Sequence, residues 1–188
     1  MRGIKNKFLR VARYHEMESK SNVDIPVVLI VYTELLPEGP SPIAYISTKR
    51  APQSTNVFNV ALKSIALLTS DDVVPNPDVF KDPKVIVDES DAFGIIPYPD
   101  QDAVGMSYAF TYAKGEGAIN CTLSILVPEA EKNYLFENHQ SLRSVLKYTA
   151  YELLKILVSN DRKSIHGKLT IPLQNLLEKL YRLGGVLS

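Results

Sequence analysis

The chain lacks most of what simple chemistry requires. It has one cysteine and three histidines, and its 21 lysines and arginines are cancelled by 21 aspartates and glutamates. A single thiol, Cys121, excludes an intrachain disulfide and makes a reducing, cytoplasmic setting the expectation. Balanced charge, with a pI of about 6.8, argues against a domain built wholly to bind nucleic acid, which carries a basic excess. No run approaches the roughly 18 consecutive apolar residues of a membrane-spanning helix. The first residues are basic and have no apolar core before a small-residue cleavage site, so a secretory signal is not expected. There is no internal repeat and no low-complexity tract.

Motifs for catalysis or cofactor binding are missing too. GKLT (Gly167 to Thr170) has the look of the end of a P-loop. That motif needs a glycine five positions before Gly167 and a hydroxyl residue directly after the lysine, where Arg162 and Leu169 stand. GEG (Gly115 to Gly117) lies between two strand-like runs, not before a helix, so it reads as a hairpin turn. His15, His139 and His166 are far apart and have no partner at metal-ligand spacing. Glu137 and His139, two apart on a helix, face different ways. Asp71, Asp72 and the carboxylates after them lack the spacing and central glycine of a calcium loop. Asp100 and Asp102 could form a carboxylate pair, but acids in a turn are normally turn formers. Cys121 sits in mid-strand, where a thiol is a small buried hydrophobe. No catalytic, cofactor-binding or metal-binding residue is therefore assigned, and no cofactor is expected.

What is present is a well-patterned core. At 188 residues, 45% of them apolar, one domain is expected, spanning 23–188 behind an N-terminal extension, 1–22. In that extension Ile4, Phe8 and Val11 recur at helical steps. Residues 1–20 carry six basic and two acidic residues, +4. This is a basic amphipathic helix whose Lys5, Lys7, Arg10 and Arg13 are candidates for contact with an anionic membrane or phosphates. Pro26 to Glu34 is almost continuously apolar and reads as a strand buried on both sides. After the turn LLPEGPSP, Pro42 to Lys49 reads as its partner.

A helix follows from Ser54 to Ser70. Ser54 or Thr55 can cap it, and Phe58, Ala61, Leu62, Ile65 and Leu68 mark one face. Asp71 to Asp91 is an acidic, proline-rich insertion in which only Val85 to Val87 could form a short strand. Phe93 to Tyr98 reads as a strand with a proline at its edge or end. Val104 to Lys114 alternates, with Met106, Tyr108, Phe110 and Tyr112 on one side and Ser107, Ala109 and Thr111 on the other. Ala118 to Val127 returns as its hairpin partner, with Ile119, Cys121, Leu123 and Ile125 on one face. A long helix is predicted from about Glu131 to Val158, then a polar linker, then a last helix from about Ile171 to Leu183.

The order β–β–α–β–β–β–α–α predicts an α+β domain with a five-stranded antiparallel sheet. Its carriers are VVLIVYTE with IAYISTK, the helix NVFNVALKSIALL, and the hairpin MSYAFTYAK–GEG–AINCTLSILV running into the long helix. In that pattern the chain resembles the longin-like domains, and the related roadblock domains, over roughly residues 25–185. The resemblance implies one helix on one face of the sheet and the C-terminal helices on the other. It also implies a non-enzymatic platform that dimerises or binds a small GTPase in membrane traffic or nutrient signalling. Two alternatives stand beside it. One is a ligand-binding or enzymatic domain whose site forms only in three dimensions, near His139, Tyr148 or the Asp100 loop. The other is an adaptor held at a membrane by residues 1–18.

Overall fold

A computed structural model describes residues 25–48, 56–66, 92–114, 117–159 and 162–185. Its strands are β1 (Leu29–Leu36), β2 (Gly39–Ser47), β3 (Ala92–Tyr98), β4 (Ala103–Lys114) and β5 (Gly117–Pro128). Its helices are α1 (Val57–Ile65), α2 (Asn133–Glu137), α3 (His139–Ser159) and α4 (Arg162–Gly185). The strands form one five-stranded sheet in the order β2-β1-β5-β4-β3, antiparallel at every pairing. The α+β class and the antiparallel sheet are as the sequence pattern predicts.

Alternation divides the core in two. One sheet face carries Ile30, Tyr32, Met106, Tyr108, Phe110, Tyr112, Cys121, Leu123 and Ile125, and α3 and α4 cover it with Leu142, Leu146, Leu153, Leu173, Leu176 and Leu180. The other carries Leu29, Val31, Ala103 and Leu126, and α1 covers it with Val60 and Val57. On the first face aromatic rings stack across the sheet, Phe93 on Tyr108 at 4.5 Å and Tyr108 on Phe110 at 5.7 Å. Such stacking adds to the burial of large rings. The second face is lined with small residues where β4 meets β5. There Ser107 and Ser124 hydroxyls bond each other at 2.7 Å, and Ser64 of α1 bonds Thr122 at 2.7 Å. These four buried hydroxyls are thereby satisfied, and α1 can lie close to the sheet.

Element ends differ from the sequence reading for local reasons. Leu36 and Gly39 close the β1–β2 hairpin in register, so β2 starts three residues before Pro42. Gly39 makes this possible at φ +118°, a conformation that side chains strongly disfavour. The cap of α1 is Asn56, whose side chain accepts from the Phe58 and Asn59 amides at 3.0 and 3.2 Å. Ser54 and Thr55 lie outside the described residues. So do the N-terminal helix expected before residue 23 and the insertion 71–91. The helix expected from Glu131 is interrupted. A 3-10 turn at Glu129–Glu131 and the short α2 precede α3, and Asn138 leaves helical geometry while its side-chain Nδ2 donates to the Tyr134 carbonyl at 2.9 Å. The last helix begins at Arg162 and runs through Pro172. Proline removes one rung of the helical ladder, which is why the sequence reads as a start near Ile171. Burial of Leu169, Pro172 and Leu173 against the sheet holds the helix through that gap.

Gly105 marks the closest approach in the β4–β5 region. A Cβ there would sit 2.9 Å from Tyr98 Cε2, 3.1 Å from the Ile125 carbonyl oxygen and 3.3 Å from Leu126 Cδ1. Alanine would gain about 0.4–1 kcal/mol through the unfolded chain. It would lose about 1–3 kcal/mol to overpacking, because one obstacle is backbone. Gly105→Ala is therefore expected to be destabilising, lowering the thermal midpoint by about 2–4 °C per kcal/mol of net loss. Circular-dichroism melting checks this, and an unchanged or raised midpoint would contradict the close approach.

Candidate functional site

Helix α1 is held by its flanks. The Asn56 amide donates to Gln101 Oε1 at 2.9 Å, and Asp100 Oδ2 accepts from Asn59 Nδ2 at 2.7 Å and Lys63 Nζ at 3.3 Å. The Lys63 ammonium also lies 5.5 Å from the centre of the Tyr98 ring, in cation–π range. Asp100 is held below the usual carboxylate range, chiefly by the Asn59 hydrogen bond and then by Lys63. Asp100 and Gln101 thus fasten the helix to the turn between β3 and β4. The expected Asp100–Asp102 pair resolves differently: Asp100 binds α1, while Asp102 turns the chain at φ 49°.

The helix so fixed buries Val60, Ala61, Ser64 and Ile65 and turns Phe58 and Leu62 to solvent, 58% and 53% exposed. This corrects the expected face, which grouped Phe58 and Leu62 with Ala61 and Ile65. The apolar arc of α1 is wider than the stripe the sheet can cover. Val57, Val60, Ala61 and Ser64 form an i, i+3, i+4, i+7 set just as Phe58, Ala61, Leu62 and Ile65 do, so spacing alone does not choose between them. Phe58 and Leu62 thus stand one turn apart on the outer side of the helix.

A second arrangement is buried. Glu34 on β1 is 3% exposed, and its Oε1 accepts from the Tyr32 hydroxyl at 2.8 Å and the Tyr112 hydroxyl at 3.1 Å. Tyr32 oxygen also lies 3.3 Å from Cys121 Sγ. Burial pushes the Tyr32 phenol well above its ordinary 10.0, and the neighbouring Cys121 and Glu34 push it further. The Tyr32 phenol therefore serves as a neutral donor to Glu34. Strand alternation gives the signal: Glu34 lies two residues from Tyr32 and pairs in register with Cys121. The sequence reading took Glu34 only as the end of a strand. Cys121 is fully buried, in keeping with its reading as a core residue.

The other residues singled out are scattered. Gly167 to Thr170 lies inside α4, where Thr170 Oγ1 donates to the Gly167 carbonyl at 2.7 Å, so these residues are helix rather than a phosphate loop. His139 is exposed at the start of α3, its Nδ1 3.0 Å from the Phe136 carbonyl. Tyr148 is exposed on α3, far along that helix from His139. Lys5, Lys7, Arg10 and Arg13, and with them His15, lie outside the described residues. Among the described residues no group of three histidine, cysteine or acidic side chains could hold a metal ion, and no helix is long and apolar enough to cross a membrane. No family model matches the chain, and no curated protein matches it.

The Glu34 cluster gives a direct test. Tyr32→Phe removes one of the two phenol donors from a buried carboxylate and is expected to cost about 1–3 kcal/mol in urea unfolding. Raised phenol pKa values also fix the sign of the alkaline response. The folded state holds the Tyr32 proton more tightly than the unfolded chain, and it holds Tyr134 likewise, pushed up to about 12 by burial. The stability tied to these protons is complete below pH 10 and falls as pH rises above it. Titration by absorbance at 295 nm should show a late tyrosine class that ionises together with unfolding. Titration of all tyrosines near 10 in the folded protein would contradict the arrangement.

Proposed function

We propose that the chain is a non-enzymatic interaction platform of the longin-like kind, which dimerises or receives a small GTPase or another trafficking or signalling subunit. The observation that carries this reading is the outward pair Phe58 and Leu62, more than half exposed on a helix fixed from both ends of its flank. The sheet order β2-β1-β5-β4-β3, with α1 on one face and α3 and α4 on the other, supports the longin-like assignment. The open edge at β3, which carries Pro97, favours a helix-mounted contact over strand addition, because proline has no N–H to offer a further strand.

Size-exclusion chromatography with light scattering, together with pull-downs against small GTPases, tests the proposal. A dimer or a retained GTPase is expected. Phe58→Asp with Leu62→Gln is expected to weaken that association by at least about 30-fold, the effect of losing a central apolar anchor, while leaving the melting temperature nearly unchanged. A strict monomer that retains no GTPase would overturn the reading.

A further inference from the structure

We propose that the outward face of the α3–α4 layer is a docking surface for an anionic lipid membrane. Helix α3 buries Leu142, Leu146, Leu153 and Leu157 against the sheet and turns Tyr148, Tyr151, Lys155 and Val158 outward. Their spacing of three, four and three residues makes them one stripe. On α4, Ile171 and Arg182 stand on the side opposite the buried Leu169, Leu173, Leu176 and Leu180. Tyr148, Tyr151, Val158 and Ile171 are between 40% and 55% exposed.

The two helices present one surface because their seam is closed. Lys179 of α4 lies 3.4 Å from Glu152 and 3.8 Å from the centre of the Tyr148 ring, both on α3. Lys179 thus ties the outer sides of the two helices together at the level of Tyr148 and Glu152. The side chains on this face suit the water–lipid boundary. Tyrosine joins an apolar ring to a polar tip, and lysine and arginine lay apolar stems along a surface while their charges reach headgroups. Lys155 and Arg182 are exposed here, with Glu178, the one acid of α4, one turn from Arg182. A second copy of the chain would bring these cations together. An anionic lipid surface complements them. Helix α1 is on the opposite face of the sheet, so Phe58 and Leu62 would stay open to a partner while the chain rests on lipid.

The chain contains no tryptophan, so one substitution makes a clean reporter. In the full chain, Tyr151→Trp and Phe58→Trp variants are mixed with phosphatidylcholine vesicles with or without phosphatidylserine. Phosphatidylserine vesicles should blue-shift the Tyr151→Trp emission, brominated lipid should quench it, and the Phe58→Trp emission should not change. Adding Lys155→Glu and Arg182→Glu should weaken binding at least about ten-fold, with the circular-dichroism melt unchanged. Replacing Lys5, Lys7, Arg10 and Arg13 by glutamine should leave the Tyr151→Trp shift in place. Soluble glycerophosphoserine and polyglutamate should give no shift. The proposal is overturned if the Tyr151→Trp reporter ignores phosphatidylserine vesicles, if the Phe58→Trp reporter responds instead, or if the charge reversals have no effect. It is equally overturned if the N-terminal replacements abolish the shift, or if the soluble headgroup or the acidic polypeptide reproduces it. Dimerisation and GTPase retention are measured without lipid, so failure here is distinct from failure of the platform reading.

Discussion

Strands β1 and β5 lie side by side in the middle of the sheet, and every residue from Leu29 to Glu34 and from Cys121 to Val127 is buried. A strand pair buried on both faces needs a cover on each, since fully burying one large aliphatic side chain is worth about 1.5–3 kcal/mol. That constraint determines the rest of the architecture. The α1 segment must lie on one face and the α3–α4 pair on the other, and the outer strands β2, β3 and β4 extend both surfaces. In sequence the constraint is plain in the continuous apolar run Val27 to Tyr32, whereas in β5 Asn120, Thr122 and Ser124 alternate with apolar residues.

The two faces meet this need differently. Toward α1 the sheet offers small residues and hydroxyls, so the helix comes near enough for Ser64 to bond Thr122. A close helix covers a narrow strip, which leaves the flanking Phe58 and Leu62 outside. Toward α3 and α4 the sheet offers stacked aromatics, and leucines from two helices fill the space above them. That side also takes in the one buried carboxylate among the described residues, Glu34. A buried carboxylate is costly unless hydrogen-bonded, and Tyr32 and Tyr112 come from β1 and β4 to satisfy it.

Period and order made the sheet legible in advance. The alternation of Met106 to Tyr112 and of Ile119 to Ile125 is enough to assign faces and pair the hairpin. Element ends were less legible because they depend on single contacts. Asn56 caps α1 where Ser54 or Thr55 was expected. Asn138 breaks a helix that periodicity alone would continue. Pro172 is carried inside α4 by burial that no local rule reports. The outward turn of α1 was hidden for a related reason. Helical spacing shows how wide an apolar arc is, but the width that gets covered depends on the opposing surface, and the Asp100 turn that fixes the helix is 37 residues from Lys63 in sequence.

That fixing bears on recognition. Exposed apolar side chains on a mobile segment lose conformational freedom when they bind, which offsets part of the gain from burial. Phe58 and Leu62 are mounted on a helix capped by Asn56, joined to Gln101 and Asp100 along one flank and bonded through Ser64 to the sheet beneath. Most of the cost of ordering them is therefore met in folding. The same logic applies to the opposite layer, where the Lys179 bridge to Glu152 and Tyr148 fixes α4 against α3 before any partner arrives. The two covers of the sheet thus differ on their outer sides: α1 turns out Phe58 and Leu62, and α3 turns out Tyr148, Tyr151, Lys155 and Val158.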